Sequence, residues 1–556
     1  MRRRPNPAVI VVILIMLVAI AGAATYFIKK HIPTNETMDL KEYFGEVQNN
    51  EAILVIGEAI QEQRAILGNP EAGLTEENIY LPQYVVTEAL NQRFYWDAEN
   101  RQILYALPSE LTSTPAQSEP GSEVWQREDS VFLSLAFVHR FTDMDVVMNT
   151  DPARVAIRNK FDNVMTVASR GNTAVRYRGG IKSPILTRVP MGEKMVLIEE
   201  LEDWYYVVAK DGCVGYVRKK DTNSPEPDTE PRNFQQEDYV YNTLDTTVNL
   251  VWHQISVRDA NSYLSTDTQY MGGVNVISPT WYSMIDNSGN ISDISSSDYV
   301  AQAHAKGLKV WGLIDNFSTE ISSFEILSHY ESRQNVIRQL ITSATGVGLD
   351  GINIDFELLS EESGVHFLEF LRELSIPCHK YGLTLSVDNT VPAVYTSHYD
   401  RGEQGKVVDY IIIMGYDEHY QGSEAGSVAS LPWVEKGIQE TIAEVPAERV
   451  INGIPFYTRL WKTLNGNVTS EAIGMKQAQD VIRDNHVQTY WDNNVYQNVG
   501  SFELGNATFQ IWLEDNQSIA EKVKLIPKYG LAGVASWKLG FEDSSIWATI
   551  TENLQG

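Results

Sequence analysis

The stretch Asp350-Gly-Ile-Asn-Ile-Asp-Phe-Glu357 decides the fold predicted for this chain. Leu349, Ile352, Ile354 and Phe356 are apolar and favour extended backbone, so the stretch predicts a buried strand. The alternation places Asn353, Asp355 and Glu357 on one face of that strand. A buried strand carries two carboxylates only where they are paired or take part in chemistry. Such chemistry takes place at the carboxyl ends of the strands in parallel α/β barrels, which is where Glu357 falls.

Further strand patterns lie on both sides of this stretch, and helical patterns separate most of them. The alternation predicts a parallel sheet with crossover helices, and the fold class is therefore α/β, a (β/α)8 TIM barrel over residues 239–556. A long gap before the last strand predicts a small α+β insertion at about 462–532. The eight predicted strands are Val248–Ile255, Gly273–Ser278, Leu308–Ile314, Gly351–Phe356, Leu383–Val387, Val408–Met414, Arg449–Ile454 and Gly533–Trp537.

Residues 161–221 contain short alternating strands separated by glycine-containing turn signals. This pattern predicts a small all-β barrel. The segment resembles bacterial SH3-like domains in Glu202-Asp-Trp-Tyr-Tyr-Val207 and in Asp211-Gly-Cys-Val-Gly-Tyr-Val217. The resemblance implies contact with cell-wall peptides, and a purely structural spacer is the alternative.

Two other segments precede the catalytic domain. Residues 38–160 mix helical and strand patterns, which predicts an α+β stalk domain with a spacer or docking role. Residues 222–238 are rich in Pro, Glu, Asp and Asn and poor in apolar residues. That composition predicts a linker.

The N-terminus contains an uncharged run from Ala8 to Ile28. A run of this length spans a hydrocarbon core of roughly 30 Å, and three arginines precede it. We therefore expect a cytoplasmic stub at 1–7, a transmembrane helix at 8–28, and a single-pass protein of the cell membrane with its catalytic domain outside. A signal peptide cleaved at Ala21-Gly-Ala23 is the alternative, but the apolar run continues beyond that site.

Composition excludes several classes of partner. The 73 acidic residues outnumber the 44 Lys and Arg, which argues against a nucleic-acid partner. Cys213 and Cys378 fall in different predicted domains, so neither a disulfide framework nor a cysteine metal site is expected. The ten histidines show no ligand spacing. We expect no metal and no cofactor.

The carboxyl ends of the predicted strands bring acidic and aromatic side chains to one face. Aromatic faces pack against sugar rings, and carboxylates and amides bind hydroxyl groups, so this face predicts a glycan cleft. A carboxylate at Asp355 would raise the pKa of Glu357 and let it act as an acid near neutral pH. The residues expected at this face are Trp281, Tyr282, Asp315, Asn316, Asn353, Asp355, Glu357, Asp388, Asn389, Tyr416, Asp417, Tyr457, Arg459 and Trp537; for Trp281 a place in the core is an equal alternative.

Residues from about 240 to 556 resemble glycoside hydrolase family 18. Asp350–Glu357 matches the family signature Asp-Gly-x-Asp-x-Asp-x-Glu on the fourth barrel strand, except that Asn353 stands where the commonest pattern has Asp. Met414–Asp417 matches the family's Met-x-Tyr-Asp on the sixth strand, and Trp537 matches the tryptophan of the eighth. The matches occur in the expected order along the domain.

Asn353, Met414–His419 and Gly453–Trp461 together resemble the branch that contains spore-cortex and cell-wall N-acetylglucosaminidases. The resemblance implies a hydrolase that cleaves β-1,4 bonds of N-acetylglucosamine-containing peptidoglycan, and the N-terminal run predicts that this hydrolase is membrane-anchored and extracellular. A chitinase or chitooligosaccharide hydrolase is the first alternative. A catalytically silent glycan-binding protein is the second, and the presence of Glu357 argues against it.

The family resemblance also implies a retaining, substrate-assisted mechanism. Glu357 would protonate the leaving oxygen while the substrate's 2-acetamido oxygen attacks the anomeric carbon. Asp355 would hold the acetamido N–H, and Tyr416 would hydrogen-bond the acetamido oxygen. The residues expected to bind substrate are Asn353, Asp417, Met414, Trp537, Trp281, Tyr457 and Arg459.

Overall fold

The computed structural model describes residues 7–235 and 238–554. The chain divides into two compact units, one of Met1–Leu104 with Ser113–Gln236 and one of Tyr105–Thr112 with Glu237–Gly556. Residues 1–6 of the predicted cytoplasmic stub and residues 236–237 of the predicted linker lie outside the described residues.

The first unit begins with helix α1 (Pro7–His31). Within the described residues, no helix combines the length and the apolar character that crossing a membrane requires. The predicted transmembrane helix at 8–28, the single-pass localisation and the membrane partner are therefore wrong. The run lacks charge, but its second half is rich in alanine and glycine, which contribute little apolar surface.

The first unit contains two seven-stranded sheets. The helices after α1 are α2 (Leu40–Phe44), α3 (Gln83–Ala89) and α4 (Leu135–Arg140). The strands are β1 (Glu51–Ile56), β2 (Ala59–Leu67), β3 (Ile79–Pro82), β4 (Tyr95–Asp97), β5 (Gln102–Ala106), β6 (Leu111–Pro115), β7 (Val124–Arg127), β8 (Ser130–Ser134), β9 (Asp145–Thr150), β10 (Ala153–Arg158), β11 (Met165–Ala168), β12 (Thr173–Arg176), β13 (Ile185–Val189), β14 (Lys194–Glu200), β15 (Trp204–Val208), β16 (Val214–Arg218) and β17 (Glu226–Pro227). The end of β5 and the start of β6 fall within Tyr105–Thr112 and so are counted with the second unit. The first sheet has the order β7-β8-β3-β2-β1-β10-β9, and the second has the order β13-β12-β16-β15-β14-β11-β17.

The two sheets share one apolar core, in which Ile53 and Val55 of β1 cluster with Val167 of β11 and Val207 of β15. All pairings in the second sheet are antiparallel. The region predicted as SH3-like is thus an antiparallel sheet, and its resemblance to bacterial SH3-like domains stays a prediction.

The second unit contains the predicted barrel of eight parallel strands, which is confirmed. The last strand pairs with the first, and the first pairs with the second, so the sheet closes. One short extra strand, β20, pairs antiparallel to β19. The strands are β18 (Val248–His253), β19 (Val276–Met284), β20 (Ile291–Asp293), β21 (Lys309–Asp315), β22 (Gly351–Asp355), β23 (Thr384–Thr390), β24 (Tyr410–Met414), β25 (Val450–Pro455) and, after the insertion described below, β31 (Gly533–Trp537).

The barrel interior is filled by large aromatic side chains. Trp252, Trp311 and Tyr410 are buried there, and the rings of Trp311 and Tyr410 stack with centroids 5.6 Å apart. This filling explains Gly351 at the start of β22. A Cβ at this position would lie 2.6 Å from the backbone oxygen of Thr384 and 2.6 Å from a ring carbon of Trp311.

Helices connect the barrel strands, and a five-stranded antiparallel sheet follows β25. This sheet begins at Tyr457, earlier than the predicted insertion boundary at 462. Its strands are β26 (Tyr457–Leu464), β27 (Asn467–Gly474), β28 (Tyr490–Asp492), β29 (Gln497–Leu504) and β30 (Ala507–Leu513). The helices of the unit are α5 (Leu264–Asp267), α6 (Ser297–Ala305), α7 (Ser323–Ser328), α8 (Tyr330–Val347), α9 (Gly364–Tyr381), α10 (Arg401–Val407), α11 (Leu431–Ile442), α12 (Met475–Asp484), α13 (Asn516–Val523), α14 (Leu525–Tyr529) and α15 (Ile546–Leu554).

Candidate active site

Glu357 follows the carboxyl end of β22, where its half-buried carboxyl accepts no hydrogen bond from the described residues. Its backbone is held on both sides by the side chain of Asn316. The Glu357 N–H donates to Asn316 Oδ1 at 2.9 Å, and Asn316 Nδ2 donates to the Glu357 oxygen at 2.8 Å. Burial raises the pKa of Glu357, and the carboxylates of Asp417 and Asp315 raise it further. The group is thus suited to hold a proton and release it.

Asp355 lies at the last position of β22 and is 5% exposed. Its Oδ1 is buried without a hydrogen-bond partner among the described residues. Burial raises its pKa well above the usual range, and the charges of Asp388, Glu357 and Asp315 act in the same direction. A buried carboxyl with an unpaired oxygen at a barrel mouth can accept a polar hydrogen from a ligand.

Asn353 lies deeper in the barrel and has all its hydrogen bonds within the protein. Its Oδ1 accepts from Trp252 Nε1 at 2.9 Å and from Ser278 Oγ at 3.3 Å. Its Nδ2 donates to Ser386 Oγ at 3.1 Å and to Asp388 Oδ1 at 2.8 Å. The structure therefore gives Asn353 a role in orienting its neighbours and leaves it no free group to offer a substrate.

Asp388 on β23 is the acidic residue whose part in the site the sequence did not predict. The sequence placed it at the strand-end face without a role, whereas the structure buries it to 2% exposure beside Asn353. Burial raises its pKa well above the usual range, against the hydrogen bond from Asn353. One feature of the sequence could have indicated this. Polar residues stand two apart on both strands, as Asn353 and Asp355 on β22 and as Ser386 and Asp388 on β23.

Tyr416, Asp417 and Tyr457 form the wall opposite β22. The Tyr457 hydroxyl donates to Asp417 Oδ1 at 2.6 Å, and the rings of Tyr416 and Tyr457 meet edge to face at 6.1 Å. Burial raises the pKa of Tyr416 well above its usual range, and the carboxylates of Asp388, Asp355 and Glu357 contribute. The Tyr416 hydroxyl makes no hydrogen bond to the described part of the chain, so it can serve a ligand.

The remaining predicted binding residues fall into two groups. Trp537 is half-buried at the end of β31 and packs edge to face on Trp252 at 5.8 Å, while Met414 is buried at the end of β24. Arg459 is half-buried and donates from Nη1 to Ser470. Trp281 is 1% exposed, donates to Asn261 and packs on Tyr299, so the structure places it in the layer between strand and helices and not at the cleft.

The structure adds two charges to the one expected from the sequence. Strand alternation pointed to Asp355, which interacts with Glu357, and the structure adds Asp417 and Asp315 as neighbours that raise the Glu357 pKa. Both lie on other strand ends, which sequence spacing along β22 does not reveal. Across the described residues, no group of three or more His, Cys, Asp or Glu side chains is arranged to hold a metal ion.

Comparison with known proteins places these residues in a recognised family. The family described as "Glycosyl hydrolases family 18" matches residues 235–542. The "Uncharacterized glycosylase YvbX" of Bacillus subtilis is 28% identical over 316 residues, which cover 52% of this chain and 88% of that protein. The "Cortical fragment-lytic enzyme" of Bacillus anthracis is 26% identical over 248 residues, covering 43% of this chain and 57% of that protein. The crystal structure of a chitinase from Chromobacterium violaceum shares the fold, with a TM-score of 0.51 and 23% identity over 56% of this chain and 100% of that chain.

Proposed function

The chain belongs to glycosyl hydrolases family 18, and from this membership we propose that it hydrolyses β-1,4 bonds of peptidoglycan-type glycan that contains N-acetylglucosamine. One observation carries the proposal. Glu357 has a half-buried carboxyl with a raised pKa, and it lies beside the buried carboxyl of Asp355 and the unbonded hydroxyl of Tyr416. A protonated acid, a charge and a hydrogen-bond donor are the groups that substrate-assisted cleavage needs.

The proposed reaction proceeds in two steps with retention at the anomeric carbon. Glu357 donates its proton to the leaving glycosidic oxygen, and the substrate's 2-acetamido oxygen attacks the anomeric carbon to form a cyclic oxazolinium ion. Glu357, now ionised, then takes a proton from water as that water opens the ring. The enzyme returns to its starting protonation state.

Asp355 and Tyr416 position the acetamido group in this mechanism. The unpartnered Oδ1 of Asp355 accepts the acetamido N–H, and its negative charge stabilises the positive charge that develops on the ring. The Tyr416 hydroxyl donates to the acetamido oxygen and directs it to the anomeric carbon. Trp537, half-buried at the end of β31, supplies an apolar floor for the sugar.

Peptidoglycan is the leading substrate because the cortical fragment-lytic enzyme is among the similar proteins and because Asn353 departs from the commonest family pattern. Chitin-type glycan is the second candidate, since a chitinase shares the barrel fold. Glycan binding without turnover is the third, and a carboxyl at Glu357 with a raised pKa argues against it.

A turnover assay with two substrates tests the proposal. Purified, peptide-free peptidoglycan strands and chitooligosaccharides are incubated with the full chain and with the Glu357→Gln variant, and new reducing ends are counted. We expect cleavage of the peptidoglycan strands by the wild type and none by the variant. Cleavage of chitooligosaccharides alone would favour the second candidate, and binding of either glycan without cleavage would overturn hydrolysis.

A further inference from the structure

Asp355 and Asp388 lie side by side in the barrel interior. The parallel register pairs Asn353 with Ser386 and Ile354 with Val387, and Asp355 and Asp388 are the next residues of the two strands. The charge of Asp388 is the largest one that acts on Asp355. Each aspartate lies two residues after a side chain that points into the barrel, so both carboxyls share that face. They are 5% and 2% exposed, which leaves little water to screen one charge from the other.

A chain of hydrogen bonds with a fixed direction ends at this pair. The indole N–H of Trp252 can only donate, so the Asn353 atom that it contacts is the oxygen. Asn353 must then present its Nδ2 to Asp388 Oδ1, which therefore accepts. Asp388 has a donor on one oxygen, whereas Oδ1 of Asp355 has no partner in the described part of the chain.

The charges around Asp355 all have the same sign. The groups that act on it are the carboxyls of Asp388, Glu357 and Asp315, and the Tyr416 hydroxyl faces the same space. Two adjacent buried carboxylates without a cation repel each other, and such pairs commonly keep one proton between them. Because Asn353 donates to Asp388, the ionised form is better stabilised there, and the proton of the free enzyme rests on Asp355.

We propose that Asp388 is a positioning residue that shares one proton with Asp355 and takes this proton up when Asp355 accepts the acetamido N–H of the substrate. The inference rests on the proposed function and assigns a role that the family signature on β22 does not contain. The proton moves from Asp355 to Asp388, no covalent bond to carbon changes, and the pair keeps one negative charge throughout. Asp355 thereby becomes ionised where positive charge develops on the sugar.

The direction of the hydrogen bonds makes Asp388→Asn a sharp test. The new amide must accept from Asn353 through its oxygen and therefore presents its NH2 to Asp355. This amide mimics Asp388 after it has taken up the proton, so Asp355 stays ionised and kcat falls by no more than about tenfold. Asp388→Leu offers neither donor nor acceptor, leaves Asp355 protonated and lowers kcat by about 100-fold, in the range of other lost proton transfers.

Infrared spectroscopy of the full chain without substrate detects protonated carboxyl groups directly. The result therefore does not depend on the proposed function. In a Glu357→Gln background at neutral pH, buried Glu369, whose pKa burial raises to about 8, already contributes a carboxylic acid stretch. We expect a second such band, from the Asp355–Asp388 pair, that disappears when Asp388→Asn is added. Asp315→Asn is the matched control, because Asp315 pairs with Asp355 in register from the other neighbouring strand but accepts hydrogen bonds from Ser283 and the Phe317 N–H. This control keeps the band.

The outcomes separate the two proposals. Loss of the band with Asp388→Asn supports the shared proton even if no glycan is cleaved, and in that case only the proposed function fails. A band that persists in Asp388→Asn overturns the shared proton. Equal loss of turnover in folded Asp388→Asn and Asp388→Leu overturns the positioning role; if the leucine variant does not fold, the spectrum and the turnover of the asparagine variant decide.

Discussion

Asn316 holds both backbone polar groups of Glu357, accepting from its N–H at 2.9 Å and donating to its oxygen at 2.8 Å. The Glu357 carboxyl accepts no hydrogen bond from residues 7–235 and 238–554, while its main chain is fixed. A proton donor that must meet a glycosidic oxygen within hydrogen-bond distance needs this kind of support, because small misplacements lower rates strongly.

Replacement of Asn316 by alanine removes this support. We expect kcat to fall about 10- to 100-fold with a small change in KM, because the acid is misplaced while the binding surface stays. The free energy of unfolding falls by about 1–3 kcal/mol, since two backbone groups lose their partners. Ser323→Ala is the control, because it removes only the Asn316–Ser323 bond of 3.0 Å. Wild-type kcat in Asn316→Ala would contradict the positioning role.

Replacement of Glu357 by glutamine tests the general acid. The amide is nearly isosteric and cannot donate the proton, so turnover falls by about 10²–10⁴-fold with the fold retained by circular dichroism. Glu361→Gln, four residues along the chain at the start of the short 3-10 helix Glu361–Ser363, is a matched control and keeps wild-type turnover. A Glu357→Gln variant that keeps more than roughly a tenth of wild-type activity shows that another group is the acid.

The carboxylate of Asp417 raises the pKa of Glu357, so Asp417→Asn lowers it. The acid must be protonated to work, and a lower pKa means that it loses its proton at lower pH. We therefore expect the alkaline limb of the kcat profile to move to lower pH. Tyr457→Phe is the control, since it removes the donor to Asp417 and keeps the charge, and its alkaline limb does not move to lower pH. Identical profiles for wild type and Asp417→Asn would refute the coupling.

The acetamido mechanism predicts a requirement in the substrate itself. Glycan that is de-N-acetylated at the cleaved residue lacks the nucleophile and is nearly inert, whereas a thiazoline analogue of the cyclic intermediate inhibits competitively. Asp355→Asn weakens this inhibition because the charge opposite the ring is lost. Comparable cleavage of acetylated and deacetylated strands would instead identify a protein carboxylate as nucleophile.

A methyl group at Gly351 tests the packing of the barrel. Gly351→Ala places a Cβ 2.6 Å from the Thr384 oxygen and from the Trp311 ring, so we expect a loss of about 1–3 kcal/mol in urea unfolding. Gly346→Ala is the matched control on α8, where the new Cβ meets nothing within 4 Å among the described residues apart from the adjoining backbone of its own helix. There the change is neutral or stabilising by up to about 1 kcal/mol. Equal stabilities would contradict the packing account.

The barrel could be predicted from the sequence because each strand carries its own apolar pattern between helical patterns. Gly533–Trp537 was predicted with the bounds that the structure has, and Gly351–Phe356 differs by one residue. The predicted membrane helix at 8–28 is wrong, since no helix in the described part of the chain has the length and apolar character needed to cross a membrane. Domain boundaries in the first unit stay predictions.

The details of the site were harder to predict, since they depend on which strands are neighbours. The pairing of Asn353 with Trp252 and Asp388 joins three strands, and no spacing along one strand reveals it. Trp281 is a second example. One step along β19 decides whether a side chain faces the cleft or the helices, and the sequence alone did not decide between these two places for Trp281. The roles of Glu357, Asp355 and Tyr416 stay proposals that the experiments above address.

Tyr457 is the first residue of the five-stranded sheet inserted after β25, and its hydroxyl bonds the carboxylate that acts on Glu357. The inserted sheet therefore contributes Tyr457 to one wall of the cleft, and through Asp417 it also influences the pKa of Glu357. Exchanging this sheet between homologues would change the cleft wall and the Glu357 pKa together. We therefore expect chimeric enzymes made in this way to shift their pH optimum whenever they change the glycan that they prefer.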